Sequence, residues 1–404
     1  MKPKPSIHLN HKPGWLSRPG SRMKTLAAVG TATLGFASFM VAASGTAFAD
    51  PTNVYVAVGS DTIQDVMNQY SIDLGGNELA SYNAINPVSA TAHEVITPVN
   101  AKPNANPVNC SFTRPNGSGE GLSAFRKSIN PNTTATQLAA PPQQNCIDIS
   151  RSSAAPGADA SPTGSLVFIP FALDAVTGAT GPTGTTKITT ADSFTKTDLT
   201  NLYTNCTTVT EGGVTYNPNT ATGTQVQIDL YVPQAGSGTL KFWASTLGFS
   251  ATSLPACVHQ TILTGPNTGT QVEEHDGTAV ASDVNGYMPF SIAQWVAQSN
   301  GHNDRRHGAV IHNINGVAPT TGGSLNTAFP ITREVYNVVQ FAKVSGSTAD
   351  PALVNLLVGG NSALCQDTFT ITGYGFGLLG SGTTDACGSI ASTLRAFDPT
   401  TDPV

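Results

Sequence analysis

The 404-residue chain has few charged residues, with 19 Lys and Arg against 25 Asp and Glu, and it contains 40 glycines and 27 prolines. A chain with this acidic balance is not expected to bind nucleic acid or an anionic membrane surface, because both attract basic proteins. Its length is sufficient for two domains.

The first 49 residues have the pattern of a secretory signal peptide. Six basic residues precede an uncharged run from Thr25 to Ala49, which ends in the A-x-A cleavage pattern Ala47-Phe48-Ala49. We expect cleavage after Ala49, which leaves 13 basic residues against 25 acidic ones and a net charge of about −12. A membrane anchor is the alternative for this segment, and no later stretch is apolar enough to span a bilayer.

The chain contains six cysteines, and an even number in an exported protein indicates disulfides. Zinc is disfavoured because there is no CxxC pair. Sequence alone leaves several pairings open, and we predict pairing between nearest neighbours because each bridge then stays within one segment. The predicted pairs are Cys110 with Cys146, Cys206 with Cys257, and Cys365 with Cys387.

Three stretches share a pattern in which an extended run ends in a turn of small residues and a helical pattern follows. They are VYVAVGSDTIQDVMNQY (54–70), RPNGSGEGLSAFRKSI (114–129) and LYVPQAGSGTLKFW (230–243). A helix start exposes unpaired N–H groups and the positive end of the helix dipole, so each turn could hold an anion. The simpler alternative is that serine or threonine caps the helix.

Strand and helix patterns alternate between and after these turns, which indicates an α/β fold. SLVFIPFALDAVTG (165–178) predicts a strand, LTNLYTNC (199–206) a short helix, and residues 273–298 a loop, a strand and a helix. Residues 320–344 predict a turn, an extended piece and a helix on the spacing of Val335, Val338 and Val339. The tail 378–397 predicts a further helix.

In this order the motifs resemble the substrate-binding proteins of phosphate-specific ABC importers. That family has a small-residue turn with a threonine, a Gly-Ser-Gly turn, a D-F-G-x-S-D-like segment, an R-x-D-G-S-G-T turn and a Y-P-L-x-R-x-x-Y-like stretch. The corresponding stretches here are VGSDTIQ, PNGSGEG, IDISRSS, PQAGSGT and FPITREVY. FIPFALDAVT and GYMPFSIAQW also resemble the crossover strands of the family, so the likeness covers most of residues 54–344.

The resemblance implies an α/β, two-lobed periplasmic-binding-protein fold of type 2, with mixed sheets flanked by helices and two hinge crossovers. We expect a signal peptide at 1–49, lobe 1 at 50–165 and 291–404, and lobe 2 at 166–290. The ligand is expected in the cleft between the lobes, where hydroxyl and main-chain N–H groups can surround an oxyanion. The ligand-binding residues that we predict are Thr62, Ile63, Ser118, Gly119, Arg151, Ser153, Ser237, Gly238 and Thr239.

Two family residues are replaced in this chain. Pro233 stands where the family has the arginine of R-x-D-G-S-G-T, and Ser153 stands where it has the aspartate that receives the proton of hydrogen phosphate. Arg151 could supply the missing guanidinium, and Arg114 is a second candidate. Asp61 could accept a phosphate proton, repel a dianion or cap a helix.

We therefore expect a secreted solute-binding protein, not an enzyme, that captures a small oxyanion, phosphate first, for uptake or scavenging. It is expected to be a monomer without cofactor or metal, located outside the cell or at the wall. An ABC permease is the implied partner, although Asp50 follows the cleavage site where lipid-tethered relatives have a cysteine. Two alternatives stay open: an extracellular or wall-associated interaction protein that retains the fold without phosphate binding, and a phosphatase-like hydrolase, for which G-x-S-x-G and HExxH are missing.

Overall fold

The computed structural model describes residues 55–76, 78–98, 110–129, 145–380 and 385–397. The predicted signal peptide lies outside these residues. The helices of the described ranges are α1 (Gln64–Asp73), α2 (Ser118–Ile129), α3 (Lys196–Tyr203), α4 (Gly238–Leu247), α5 (Thr278–Ser282), α6 (Ile292–Ser299), α7 (Pro351–Leu357), α8 (Ala363–Gln366) and α9 (Thr368–Gly373). None of these helices combines the length and apolar character that crossing a bilayer requires.

The strands of the same ranges are mostly short, apart from two long ones near the centre of the main sheet. They are β1 (Tyr55–Gly59), β2 (Leu79–Ser81), β3 (Val95–Ile96), β4 (Phe112–Thr113), β5 (Ile149–Ser152), β6 (Leu166–Thr180), β7 (Val209–Glu211), β8 (Val214–Asn217), β9 (Val226–Gln227), β10 (Asp229–Tyr231), β11 (Val258–His259), β12 (Gly286–Ser291), β13 (Val310–Ile311), β14 (Thr320–Thr321), β15 (Ser324–Leu325), β16 (Thr332–Gln340) and β17 (Arg395–Ala396). The long strands are β6 and β16.

One mixed sheet organises the described chain, with the strand order β11-β10-β12-β6-β16-β5-β1-β2. Strand β1 runs parallel to β2 and β5, and β10 runs parallel to β11 and β12. Strands β6 and β16 are antiparallel to their neighbours. Helices pack on these strands, α1 on β2, α2 on β5 and β1, and α4 on β12. The predicted α/β class is confirmed, and so are the helices that follow the three small-residue turns.

Strand β6 joins two halves of this sheet. Its residues 166–175 pair with β16, and its residues 176–180 pair with β12. All of its residues are buried, which explains why the segment is almost continuously apolar in sequence. We call the change of partner between Ala175 and Val176 the seam, the side with β16, β5, β1 and β2 the β1 half, and the side with β12, β10 and β11 the β10 half.

Each half has its own hydrophobic core. The core of the β1 half includes Val56, Met67, Phe125, Ile149 and Val338. The β10 half has two clusters, one built around residues such as Trp243 and one that includes Met288. Ile314, Leu325 and Ile331 pack into the larger of these two clusters. The lobe boundaries given above stay a prediction.

The helix predicted on Val335, Val338 and Val339 is wrong. These residues lie in strand β16, which pairs with β5 on one side and β6 on the other. A central strand is buried on both faces, so its apolar residues need not alternate and can fall at helical spacing by coincidence. Valine, branched at Cβ, also favours strands.

The helix predicted at the end of the tail is also wrong. Ser392–Leu394 form a single turn of 3-10 helix, and β17 pairs with β6 at Leu166 and Val167. The Arg395 guanidinium donates to the Gly164 carbonyl and so ties the strand to that edge. Pairing with the sheet therefore overrides the local pattern, and residues 381–384 of this segment lie outside the described residues.

The three predicted disulfides are confirmed. Cys110–Cys146 and Cys365–Cys387 lie at the core of the β1 half, and Cys206–Cys257 lies at the larger core of the β10 half. The bridges span 36, 22 and 51 positions respectively. Each bridge therefore stabilises one half rather than linking the two.

Candidate functional site

The starts of helices α1 and α4 lie side by side, and each carries a buried threonine. Thr62 follows β1 in the β1 half, and Thr239 lies in the first turn of α4 in the β10 half. Their Oγ1 atoms donate to the same atom, Glu274 Oε1, at 2.9 and 2.6 Å. The main-chain N–H of Thr239 donates to it as well, at 3.2 Å. Donors from both halves therefore converge on one oxygen.

Arg333 places a guanidinium beside both threonines. Its Nη2 donates to Thr239 Oγ1 at 2.9 Å and to Thr62 Oγ1 at 3.3 Å. Its Nε and Nη2 also donate to Asp174 Oδ2 at 2.9 and 2.8 Å. Arg333 and Asp174 are register partners on β16 and β6, and their side chains are 3% and 0% exposed. This buried, charge-assisted pair fixes the orientation of the guanidinium.

The second oxygen of Asp174 holds the start of helix α6. Asp174 Oδ1 accepts from Ser291 Oγ at 2.8 Å and from the Ala293 N–H at 3.1 Å. Ser291 caps α6 by accepting from the Gln294 N–H, and the Gln294 amide donates to the Thr62 carbonyl at 2.7 Å. Three helix starts thus meet at the seam. We call the side chains that join them the polar cluster, which consists of Thr62, Asp174, Thr239, Glu274, His275 and Arg333.

His275 donates into the polar cluster through Nε2, which lies 2.9 Å from Thr62 Oγ1 and 3.2 Å from Glu274 Oε1. Its Nδ1 accepts from the Ser291 N–H at 3.2 Å. An accepting Nδ1 means that Nε2 carries the proton of a neutral ring. His275 has a φ of 56°, in the left-handed region that non-glycine residues seldom adopt.

The carboxylate of Glu274 is completely buried and ionised at neutral pH. Burial opposes ionisation, but the hydrogen bond and electrostatic interaction with His275, the hydrogen bond from Thr239 and the charge of Arg333 outweigh it and lower the pKa of Glu274 to about 2. Glu274 Oε2 and Arg333 Nη1 are both buried without a hydrogen-bond partner among the described residues. The polar cluster therefore already holds an anion, and that anion leaves one donor of the arginine unused.

Asp61 joins the first turn to the loop after α6. Arg305 Nη2 lies 3.2 Å from Asp61 Oδ1 and 3.8 Å from Asp65 Oδ2. Burial raises the pKa of Asp61 to about 6 despite the nearby charge of Arg305, and it raises the pKa of Asp65 as well. From the sequence alone, Asp61 could act as a proton acceptor, as a charge that repels a dianion or as a helix cap. The structure adds a further role, an ion pair with Arg305 that joins two distant segments.

The second and third turns contact each other directly. The Gly119 N–H donates to the Gly236 carbonyl at 2.9 Å. Ser118 Oγ lies 3.2 Å from Ser153 Oγ and accepts from the Ser153 N–H at 3.1 Å. A Cβ atom on Gly238 would lie 2.3 Å from the Oγ atoms of both serines, so only glycine fits there without a shift. These residues hold the β1 half against the β10 half.

The other candidate residues contact residues outside the polar cluster. Ser237 is the N-cap of α4, and its Oγ accepts from the Leu240 N–H at 2.9 Å. Ile63 packs in the core of the β1 half. Arg114 is buried and donates to the Asn83 carbonyl at 2.9 Å.

Arg151 is buried within the β1 half, and burial lowers its pKa to about 9. Its five hydrogen bonds go to oxygens around the ends of β1 and β2, namely those of Ala57, Gly59, Ser60, Ser81 and Tyr82. These bonds match the donor capacity of a guanidinium. The structure therefore brings Thr62 and Thr239 together, and the ligand roles of all the predicted residues stay predictions.

Four members of the polar cluster were not among the predicted site residues, namely Asp174, Glu274, His275 and Arg333. Asp174 is the one charged residue in the apolar stretch FIPFALDAVT, and Arg333 is the arginine of FPITREVY. Each is therefore conspicuous in sequence. Their meeting depends on the register of β6 with β16, which the sequence does not reveal.

No family model and no curated protein matches the chain. It is similar to the solved structure of a protein assigned as a phosphate ABC transporter substrate-binding protein, with bound phosphate, from Clostridium perfringens, at 12% identity and a TM-score of 0.47 over 81% of this chain and 100% of that one. It is also similar to an ABC-type phosphate transport receptor from Vibrio cholerae, at 14% identity and a TM-score of 0.46 over 80% and 100% of the two chains. A third similar structure is PstS from Borrelia burgdorferi, at 11% identity and a TM-score of 0.37 over 82% and 100%.

These three structures belong to the class of protein that the order of sequence motifs resembles. Their identities to this chain lie far below the level at which site residues can be transferred, and their TM-scores are below 0.5. The case for function therefore rests on the residues of the polar cluster.

Proposed function

We propose that this chain is a solute-binding protein that captures a small oxyanion, phosphate first, at the polar cluster. The observation that carries the proposal is the convergence of the Thr62 hydroxyl and of the Thr239 hydroxyl and N–H on one anionic oxygen, beside the Arg333 guanidinium. Neutral donors at helix starts together with one guanidinium form the kind of site that holds an oxyanion away from water.

The charge balance of the polar cluster supports capture by hydrogen bonds. The positive charge of Arg333 is matched by Asp174, the ring of His275 adds a donor, and the ionised Glu274 leaves the cluster with one net negative charge. A site of this kind selects its ligand by the number and placement of donors, because no net positive charge is available for attraction. Phosphate is the first candidate because the motif order resembles phosphate-binding proteins.

Export and transport belong to the same proposal. The leader supports a mature protein outside the cell or at the cell wall, and the motif order supports delivery of the solute to an ABC permease. We propose that the mature chain acts as a monomer in this role.

A solute-binding role is favoured over hydrolysis because the threonine–histidine pairs lack a usable base and nucleophile. Nε2 of His275 carries a proton, so it cannot take one from Thr62. His312 lies 2.8 Å from Thr180 Oγ1 and 3.2 Å from Asp192 Oδ1, in the order of a catalytic triad, but Thr180 is not part of the polar cluster at which the solute is proposed to bind. Neither hydroxyl is therefore suited to attack a substrate.

Calorimetric titration of the mature chain with inorganic phosphate, and separately with sulfate, tests the proposal. We expect phosphate to bind and Thr239→Val to weaken the affinity by about tenfold or more, since about 1.4 kcal/mol is lost with a hydrogen bond to an anion. Thr210→Val is the matched control, because Thr210 lies exposed on β7, and it should leave the affinity unchanged. Failure of both anions to bind at millimolar concentration would favour the alternative of an interaction protein that retains the fold.

A further inference from the structure

Glu274 occupies the point on which the donors of the polar cluster converge. We propose that Glu274 is an intramolecular occupant of the oxyanion site, so that a solute anion binds by displacing its carboxylate. The inference rests on the proposed function of the polar cluster. It adds a competitor within the chain that sets the affinity of the site.

The first support is that the donors are engaged by one atom. Glu274 Oε1 accepts hydrogen bonds from the hydroxyls of Thr62 and Thr239 and from the Thr239 N–H, and His275 Nε2 lies 3.2 Å from it. A solute oxygen bound to the same donors would lie within a few ångströms of this oxygen. Two anions at that distance repel strongly in a buried site, so the carboxylate and the solute exclude each other.

The second support is that the Glu274 carboxylate leaves part of the hydrogen-bonding capacity of the cluster unused. Arg333 Nη1 and Glu274 Oε2 have no hydrogen-bond partner among the described residues, and both side chains are more than nine-tenths buried. An unpaired buried donor on a guanidinium is costly. A tetrahedral oxyanion offers four oxygens, so it can engage a larger number of donors than Oε1 does alone.

The third support is the segment that carries the carboxylate. Glu274 lies in irregular chain before helix α5, and the next residue, His275, has the left-handed φ of 56°. A non-glycine residue in this region stores strain, which a movement of the segment can relieve. Because Glu274 lies outside every strand and helix, its withdrawal does not require any of these elements to unfold.

The adjacent Glu273 differs in its contacts and provides a matched control. Its Oε2 accepts from the Asn116 amide at 3.0 Å, and it makes no contact with the two threonines among its described hydrogen bonds. A glutamine at either position keeps the size of the side chain and removes its charge. Comparison of the two substitutions separates the loss of a nearby charge from the weakening of the occupant's own hold on the donors.

The test is calorimetric titration of the mature wild type, Glu274→Gln and Glu273→Gln with inorganic phosphate. Loss of the negative charge weakens the internal competitor and raises the fraction of molecules whose site is free, so Glu274→Gln should bind phosphate about tenfold more tightly or better. Glu273→Gln should remain within about twofold of the wild type. Adding Thr239→Val to Glu274→Gln should abolish the gain, which locates the binding at the polar cluster.

Unchanged or weaker binding by Glu274→Gln, with phosphate still bound by the wild type, would overturn displacement and leave the proposed function standing. Failure of all three proteins to bind phosphate or sulfate would overturn the proposed function and this inference with it. Glu274→Asp covers the case in which the glutamine variant does not fold. It withdraws the carboxylate by one methylene group, so it should also tighten phosphate binding, and weaker binding by this variant would count against displacement.

Discussion

Glu274 Oε1 accepts a hydrogen bond of 2.6 Å from Thr239 Oγ1, although 35 positions separate the two residues. The same oxygen accepts from Thr62, which belongs to the other half of the sheet. One carboxylate therefore contacts helix starts from both halves. Its ionisation should affect the stability of the fold as well as the affinity of the site.

We predict that Glu274 makes the protein less stable as the pH falls. Its pKa is about 2 in the fold against an ordinary value of 4.5, so folding favours the ionised form. That contribution is complete above pH 4.5 and is lost as the pH falls toward 2, and a shift of this size corresponds to roughly 3 kcal/mol. Urea unfolding of the wild type and Glu274→Gln, at about pH 6 and at about pH 3, measures this contribution to the free energy of unfolding.

The wild type should lose more stability than Glu274→Gln between these two pH values. Asp61 and Asp65, whose pKa values are raised by burial, act in the opposite direction, because their neutral forms are favoured by folding. They are present in both proteins, so the difference between the proteins reports Glu274 together with its own effect on the pKa of Asp61. Parallel pH profiles would contradict the prediction.

The pair between Arg333 and Asp174 should be essential for stability. Arg333→Met leaves Asp174 buried with its charge uncompensated, which typically costs about 3–5 kcal/mol. Chemical denaturation measures the change. The control is Arg306→Met, which breaks a surface pair with the half-exposed Asp304 and should cost about 1 kcal/mol or less. Equal losses of stability in the two variants would show that the buried pair contributes no more to stability than a surface pair.

Gly238→Ala should disrupt the contact between the second and third turns. The added Cβ would lie 2.3 Å from the Oγ atoms of Ser118 and Ser153, and overpacking of this kind costs about 1–3 kcal/mol. Replacing both serines by alanine should restore most of the loss in thermal unfolding. Gly373→Ala, in α9 with open space around the new methyl group, should be neutral or slightly stabilising.

Removal of the Cys206–Cys257 bridge should destabilise the protein more than removal of Cys365–Cys387. The first closes a loop of 51 positions and the second one of 22, and loop-closure entropy predicts about 4 and about 3 kcal/mol. Double alanine variants compared by urea unfolding measure the order. A larger loss for the shorter loop would contradict the entropic account.

Local patterns in the sequence predicted the elements around the turns because their causes are local. The apolar residues after the third turn mark one face of α4, and Ser237 caps it as a helix start requires. Pairing of nearest cysteines succeeded because each bridge lies at the core of one half. The α/β class followed from strands that alternate with helices.

The prediction failed where the environment of a residue depends on distant strands. Val338 is buried between β5 and β6, so its spacing carried no information about helix. Arg151 was considered as a ligand residue, yet its donors are engaged by oxygens near the ends of β1 and β2. Arg333 and Asp174 are 159 positions apart and meet only because their strands pair in that register.

The seam gives the polar cluster a particular experimental consequence. Asp174 and Arg333 are the second register pair from the point where β6 exchanges β16 for β12, so they belong to the ladder as well as to the cluster. A substitution there changes sheet pairing and solute affinity together, and the two effects cannot be separated by a single titration. Thr62 and Thr239 take no part in the ladder. Like Glu274, they are therefore positions at which the affinity of the site can be measured independently of the sheet.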